Sequence, residues 1–134
     1  MIIIKRDLDL IRDIMLTIEN NTLEKLDIYA LSEAVQASPD SVYYHLELLK
    51  DKQFVITRGG VVAFTPSTRK YDPYWIQRLT FDGCEYLESI RNDKIWLRVK
   101  QELKNIGGSA SLEIVKDIAV RIGKDIIQNH LLNQ

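Results

Sequence analysis

The sequence predicts an α+β fold, in which a helix-turn-helix leads into a small antiparallel β-hairpin and is followed by additional C-terminal helices. Three observations predict it. Residues 31–53 hold two short amphipathic segments separated by a turn, residues 54–79 are rich in β-branched and aromatic residues, and residues 81–131 repeat apolar residues at helical spacing. We expect residues 1–91 to form the helix-turn-helix domain with its hairpin. Residues 92–134 are expected to form a two-helix extension continuous with the same core.

The second helix of the helix-turn-helix has the clearest start signal in the chain. Ser38 is a good N-cap, because its hydroxyl can accept a hydrogen bond from an amide of the first turn. Pro39 suits the first helical position, and Asp40 places negative charge at the positive end of the helix dipole. A buried stripe follows at positions i, i+4 and i+7, formed by Val42, Leu46 and Leu49. We expect this helix to end near residues 51–53.

The segment before the helix-turn-helix predicts one long helix and a short strand. Residues 5–20 repeat apolar side chains at intervals of three and four, which indicates an amphipathic helix. Leu26, Ile28 and Tyr29 can form a short strand that leads into the next helix at Leu31.

A hairpin is predicted after the helix-turn-helix. Strands at residues 54–57 and 61–65 flank Arg58-Gly59-Gly60, whose glycines permit the positive φ angles of a tight turn. Residues 66–73 are expected to form a loop, and a strand resumes at residues 74–79. Alternation places Trp75, Gln77 and Leu79 on one side of that strand.

Three helices are expected to complete the chain. The first runs from residue 81 to about residue 90 after a Thr80 cap, with Cys84, Leu87 and Ile90 facing inwards and Cys84 acting as a small buried hydrophobe. The second, capped by Asn92 or Asp93, is expected to end at Gly107-Gly108, because left-handed C-cap positions favour glycine.

The last helix, residues 112–131, carries more apolar surface than one packing contact needs. It could simply cover the core of its own chain, or it could also pair two copies of the chain in a homodimer. The candidate dimer interface consists of Val115, Ile118, Ile122 and Ile126.

Charge is distributed unevenly along the chain. The net charge is −1, but residues 50–78 hold six basic residues against two acidic ones, whereas residues 1–49 hold four against nine. A basic hairpin could contact a phosphate backbone. Chance on a solvated hairpin explains the same pattern equally well.

Composition and residue placement argue against several classes of protein. A single cysteine forms no disulfide within the chain, and with two histidines far apart it makes a metal site improbable. His45 is interpreted as structural, and the paired glycines lack the context of phosphate loops. No apolar run approaches the length of a membrane span. We therefore expect a cytoplasmic protein without cofactor, metal, membrane contact or enzymatic activity.

Two motifs carry a resemblance to known families. Residues 38–49 with Phe54-Val55 resemble the second and third helices of ArsR-like and MarR-like winged-helix proteins, and residues 78–87 resemble the Leu-Thr-x-x-Gly-x-x-x-Leu passage that leaves their wing. This resemblance implies a winged helix with a small β-wing. Further motifs are similar to an uncharacterised family of small bacterial and phage proteins, a domain of unknown function. They are residues 5–12, His45-Leu46, residues 78–80, residues 90–93 with Trp96, Gly107-Gly108 and Ser111-Leu112.

Two functions are compatible with these features. Winged helices bind double-stranded DNA in many proteins and only other proteins in some. A DNA-binding transcriptional regulator would use the start of the recognition helix and the basic hairpin. A protein-interaction module is favoured by the acidic pI of about 6.1 and by adjacent tyrosines that suit a protein interface. The candidate DNA contacts are Ser38, Asp40, Ser41, Tyr43, Tyr44, Lys50, Arg58, Arg69, Lys70 and Arg78.

Overall fold

The computed structural model describes residues 4–23, 25–58, 64–65, 70–71 and 75–132, with only the backbone of residues 64, 65 and 70. Within these ranges the chain forms six helices and four short strands. They are α1 (Leu8–Glu19), α2 (Ile28–Val35), α3 (Pro39–Asp51), β1 (Val55–Arg58), β2 (Phe64–Thr65), β3 (Lys70–Tyr71), β4 (Trp75–Leu79), α4 (Phe81–Ile90), α5 (Asp93–Lys104) and α6 (Leu112–Leu132). The chain divides into two compact units, Met1–Cys84 and Glu85–Gln134, so the boundary falls inside α4. The sequence places it at 91/92.

Helices α2 and α3 form the expected helix-turn-helix. Ser38 caps α3 by accepting a hydrogen bond from the Ser41 amide at 3.2 Å, which confirms the predicted start. Helix α2 begins three residues earlier than expected, because the Asp27 carboxylate accepts a hydrogen bond from the Ala30 amide at 2.8 Å and caps it. The predicted strand is therefore wrong at Ile28 and Tyr29, and its only described pairing is a single bridge from Leu26 to Ile76.

Strands β1 and β4 pair antiparallel, and the bridge from Leu26 lies on β4 as well. The register shifts by one residue between Ile56 and Thr57, whose partners are Arg78 and Ile76, so Gln77 is an extra residue in β4. This bulge buries both Ile76 and Leu79, although simple alternation would place them on opposite faces. The predicted alternation along this strand is therefore wrong.

Three helices and this small sheet define the first unit as a winged helix. Helix α1 contacts α2, α3 and β4, and its Ile11, Ile14 and Met15 are fully buried. The expected α+β winged helix-turn-helix with a β-wing and C-terminal helices is confirmed.

A second, two-stranded sheet interrupts the predicted loop. β2 pairs antiparallel with β3 through Phe64↔Tyr71 and Thr65↔Lys70, so the loop prediction is wrong at residues 70–71. The expected turn at Gly59-Gly60, most of the strand at 61–65, and the beginning of the strand at 74 lie outside the described residues.

Helix α4 lies unusually close to the backbone of Phe54, in the connection between α3 and β1. The Phe54 carbonyl accepts a hydrogen bond from the Thr80 amide at 2.9 Å, and a Cβ on Gly83 would lie 2.3 Å from the same carbonyl oxygen. Because the contact face of α4 runs through Gly83, Cys84 is turned outwards and is exposed. The predicted burial of Cys84 is wrong.

The second unit contains the pair α5 and α6. Asn92 caps α5, and Gly107 and Gly108 adopt φ angles of 102° and 87° between the two helices, as expected for left-handed positions. The apolar faces bury Trp96, Val99, Leu103, Leu112, Val115, Ala119 and Ile122. Two of the candidate dimer-interface residues, Val115 and Ile122, are thus buried within the chain itself. Ile118 is half-buried and Ile126 is exposed.

None of the described helices combines the length and the apolar character that a membrane crossing requires.

Candidate nucleic-acid interface

Three cations lie on or beside the β1–β4 sheet, and we call them the basic strip: Lys25, Arg58 and Arg78. Arg58 and Arg78 are exposed on neighbouring strands, and the Arg58 Nε atom donates a hydrogen bond to Gln77 at 2.9 Å. The Lys25 ammonium lies 4.8 Å from the centroid of the Trp75 ring, where a cation is attracted by the face of the indole. Neither strand contains an acidic residue. The strip therefore presents a surface suited to anions.

At the C-terminal end of α3 the positive charge is partly offset. Lys50 lies 3.4 Å from the Glu47 carboxylate, one helical turn earlier, and both side chains are partly exposed. Such a pair contributes little to stability, but it leaves Lys50 less free to bind an external anion. Lys52, just after the helix, is exposed.

Near the N-terminal end of α3, three tyrosines from three different elements meet, and we call them the tyrosine cluster: Tyr29, Tyr43 and Tyr71. The rings of Tyr43 and Tyr71 lie with centroids 4.8 Å apart and planes inclined by 33°, and the Tyr29 ring is 6.3 Å from that of Tyr71. The backbone amide of Tyr71 donates a hydrogen bond to the Tyr29 hydroxyl at 2.9 Å. The cluster attaches strand β3 to the helix-turn-helix.

Asp40, in the first turn of α3, is connected to this cluster. The Tyr71 hydroxyl donates a hydrogen bond to Oδ1 of Asp40. Burial raises the pKa of Tyr71 well above its ordinary value, and the bond to the Asp40 carboxylate raises it further. Burial, and to a lesser degree the charge of Glu47, raises the pKa of Tyr43. The phenols therefore stay protonated near neutral pH, so Tyr71 remains a donor to Asp40.

His45 is buried in the middle of α3 and joins it to the start of α1. Its Nε2 accepts a hydrogen bond from the Asp7 amide at 2.8 Å, and its Nδ1 lies 2.7 Å from the Ser41 carbonyl oxygen. These partners require a neutral imidazole with the proton on Nδ1. Tyr44 places its ring edge-on to the imidazole, with centroids 5.2 Å apart.

The structure separates the sequence-predicted contacts into groups. Asp40 and Tyr43 join the tyrosine cluster, Arg58 and Arg78 join the basic strip, and Ser38 serves as a cap. Arg69 lies outside the described residues, and for Lys70 only the backbone in β3 is described.

Sequence reasoning missed the contributions of Lys25, Tyr29, Tyr71 and Gln77. Each acts through a partner distant in sequence, such as Tyr71, whose ring contacts a residue 28 positions earlier on α3. The strand propensity of Tyr71 was the one local signal that could have placed it in a hairpin.

Among the residues that the structure describes, no three histidine, cysteine or acidic side chains are grouped so that they could hold a metal ion.

The topology and this surface define a winged-helix protein. Residues 5–110 match the family described as "Hypothetical protein (DUF2513)", and the chain belongs to that family, which confirms the resemblance to a domain of unknown function. The chain is 29% identical over 119 residues to an "Uncharacterized protein" of Haemophilus influenzae, covering 88% of this chain and 94% of that one. A crystal structure of a MarR/EmrR family transcriptional regulator from Acinetobacter sp. ADP1 is similar with a TM-score of 0.44 and 19% identity, covering 96% of this chain and 78% of the other.

Proposed function

We propose that this chain is a DNA-binding winged-helix protein that regulates transcription. The observation that carries the proposal is the basic strip. Arg58 and Arg78 lie on a sheet that follows the helix-turn-helix and whose paired strands contain no acidic residue, and the Lys25 ammonium lies over the ring of Trp75 in the same sheet. Phosphate contacts position a protein on duplex DNA, whereas base contacts specify the sequence. In this arrangement the strip grips the phosphate backbone while the N-terminal residues of α3 face base edges in the major groove.

Salt dependence tests this proposal directly. We expect fluorescence anisotropy with random-sequence duplex DNA to show micromolar binding that collapses between about 50 and 200 mM salt, because phosphate contacts release counterions. No binding at the lowest salt would contradict the proposal.

Removing two members of the basic strip is the sharper test. The double variant Arg58→Ala/Arg78→Ala should reduce the slope of log affinity against log salt by about two units, one for each lost phosphate contact. The matched control is Lys94→Ala/Arg98→Ala, which removes the same charge from exposed positions on α5 and should leave the slope unchanged. Equal slopes for the two double variants would show that Arg58 and Arg78 do not contact the DNA phosphates.

A second candidate function is a protein-interaction module, and one observation favours it. The first eleven residues of α3 contain Asp40 and Glu47 but no lysine or arginine, and the tyrosine cluster adds aromatic surface beside them. Exposed aromatic residues suit protein interfaces. If duplex DNA fails to bind at low salt, this is the function that a pull-down with the full chain should test.

The proposal includes a homodimer formed through α6, although not through the residues first expected. Val120, Ile127 and Leu131 are exposed at intervals of seven and four, which places them on one stripe of the helix. A stripe of this kind is a self-complementary surface when two copies pair about a two-fold axis. Ile118 and Ile126 lie on other faces of α6 and are not part of this stripe, and Val115 and Ile122 are buried.

We expect Ile127→Asp to convert the dimer to a monomer without unfolding the chain, since this side chain is 61% exposed. Light scattering after size-exclusion chromatography measures the mass, and circular dichroism checks the fold. Asn129→Asp introduces the same charge on the opposite side of α6 and should leave the dimer intact. A wild-type chain that is already monomeric would refute this placement.

A further inference from the structure

Asp40 occupies a position from which a helix-turn-helix reads DNA. It lies in the first turn of α3, its side chain is exposed, and Ser38 fixes the start of the helix. In helix-turn-helix proteins the N-terminal residues of the recognition helix contact base edges. An acidic residue there stabilises the positive end of the helix dipole, but the phosphates of DNA repel it.

Tyr71 holds this carboxylate in one orientation. Its hydroxyl donates to Oδ1 of Asp40, its ring lies against Tyr43, and its backbone amide is bound by the Tyr29 hydroxyl. Strand pairing with β2 fixes its backbone from another side. Because the ring packing, the amide hydrogen bond and the strand pairing fix Tyr71, its hydroxyl orients the Asp40 carboxylate more firmly than water would. Supporting residues of this kind make a contact geometrically selective.

The same hydrogen bond makes a carboxylate tolerable beside DNA. Donation from Tyr71 and the positive end of the α3 dipole both offset the charge of Asp40. Tyr71 uses one acceptor site on Oδ1, and we assign the further hydrogen bond to Oδ2.

The chemistry of the major groove then selects the base. A carboxylate only accepts hydrogen bonds, and cytosine presents its N4 amino group there as a donor without a neighbouring acceptor. Adenine presents a donor beside the N7 acceptor, a pattern that an amide side chain matches and a carboxylate does not.

We propose that Asp40 reads a cytosine in the major groove and that Tyr71 is the positioning residue that orients its carboxylate for this contact. The inference rests on the proposed DNA-binding function and adds its base specificity.

The proposal can be tested by selection from a library of DNA duplexes. The duplexes are randomised over one helical turn and incubated with this chain. The wild type should prefer cytosine at one position by roughly five- to tenfold, the lower end of discrimination by a side-chain–base contact. Asp40→Asn should shift the preference at that position from cytosine to adenine. Tyr71→Phe removes only the hydroxyl, and should abolish most of the preference there while other positions and the salt slope stay unchanged.

Two controls separate positioning from a merely structural role. Glu47→Gln makes the same charge change seven residues further along α3, and should strengthen binding to every sequence without altering the cytosine preference. Tyr71→Phe added to Asp40→Ala should change the base preference no further than Asp40→Ala alone, because alanine has no acceptor for Tyr71 to orient.

Several results would overturn the proposal. An unchanged cytosine preference in Tyr71→Phe would show that Tyr71 does not position the carboxylate. An unchanged preference in Asp40→Asn would show that Asp40 does not contact the cytosine. Tighter binding of all sequences by Tyr71→Phe would make the tyrosine an obstruction to DNA. A wild-type chain that binds no duplex refutes the proposed function and this inference with it, whereas the other results leave DNA binding intact.

Discussion

Gly83→Ala is expected to lower the free energy of unfolding by about 3 kcal/mol, the upper part of the range for overpacking a well-filled site. The added Cβ would lie 2.3 Å from the Phe54 carbonyl oxygen and 3.1 Å from its carbon. These are backbone atoms, so no side chain can rotate away. The same carbonyl accepts a hydrogen bond from the Thr80 amide, and the Thr80 hydroxyl donates to the Gln53 carbonyl at 2.6 Å. The backbone between α3 and β1 therefore cannot move away from Gly83 without losing these hydrogen bonds.

Gly123→Ala is the matched control for this prediction. Gly123 is also helical, but the atom closest to its added Cβ is Ile95 Cδ1 at 3.9 Å, an ordinary contact. Alanine there should raise the free energy of unfolding by about 1 kcal/mol, because glycine is the poorer helix former. Urea denaturation followed by circular dichroism measures both variants, and changes of the same sign would contradict the close approach at Gly83.

His45→Ala is expected to cost about 3 kcal/mol, because it combines a cavity with the loss of two hydrogen-bond partners. His45 is 1% exposed, and without its imidazole the amide of Asp7, the N-cap of α1, loses its hydrogen bond to α3. The measurement is again the free energy of unfolding in urea.

The conservative variant distinguishes the hydrogen bonds from simple filling of space. His45→Gln retains an acceptor and a donor on one side chain, so it should recover part of the loss, whereas His45→Leu fills the volume without either group. Equal stability of the glutamine and leucine variants would show that the hydrogen bond to Asp7 contributes little.

Local signals account for the elements that the sequence predicts well. Ser38 and Asn92 act through amides two or three residues ahead, and Gly107 and Gly108 through their own backbone angles. The spacing of the apolar residues also predicts that Val42, Leu46 and Leu49 are buried, as the structure shows. A short window of sequence holds all the information needed for these features.

The candidate site depends on contacts that no short window contains. Tyr71 lies in a segment that reads as a loop, and it becomes part of the site through Tyr29 and Asp40, 42 and 31 residues away. Cys84 shows the same limitation in a helix, because its exposure is decided by the distance between Gly83 and the Phe54 backbone. The direction in which a helix turns its faces depends on what the neighbouring chain permits.

The extra residue at Gln77 has a consequence for comparing this chain with its relatives. Ile76 and Leu79 share a buried face across an interval of three, and removing one residue between them would give the interval of two that a regular strand uses. A relative shorter by one residue here can therefore keep the same buried pair while losing the bend and the Gln77 partner of Arg58. An alignment gap at this point would indicate that the strand is kept while the curvature of the wing changes. The direction of the Arg58 side chain would change with it.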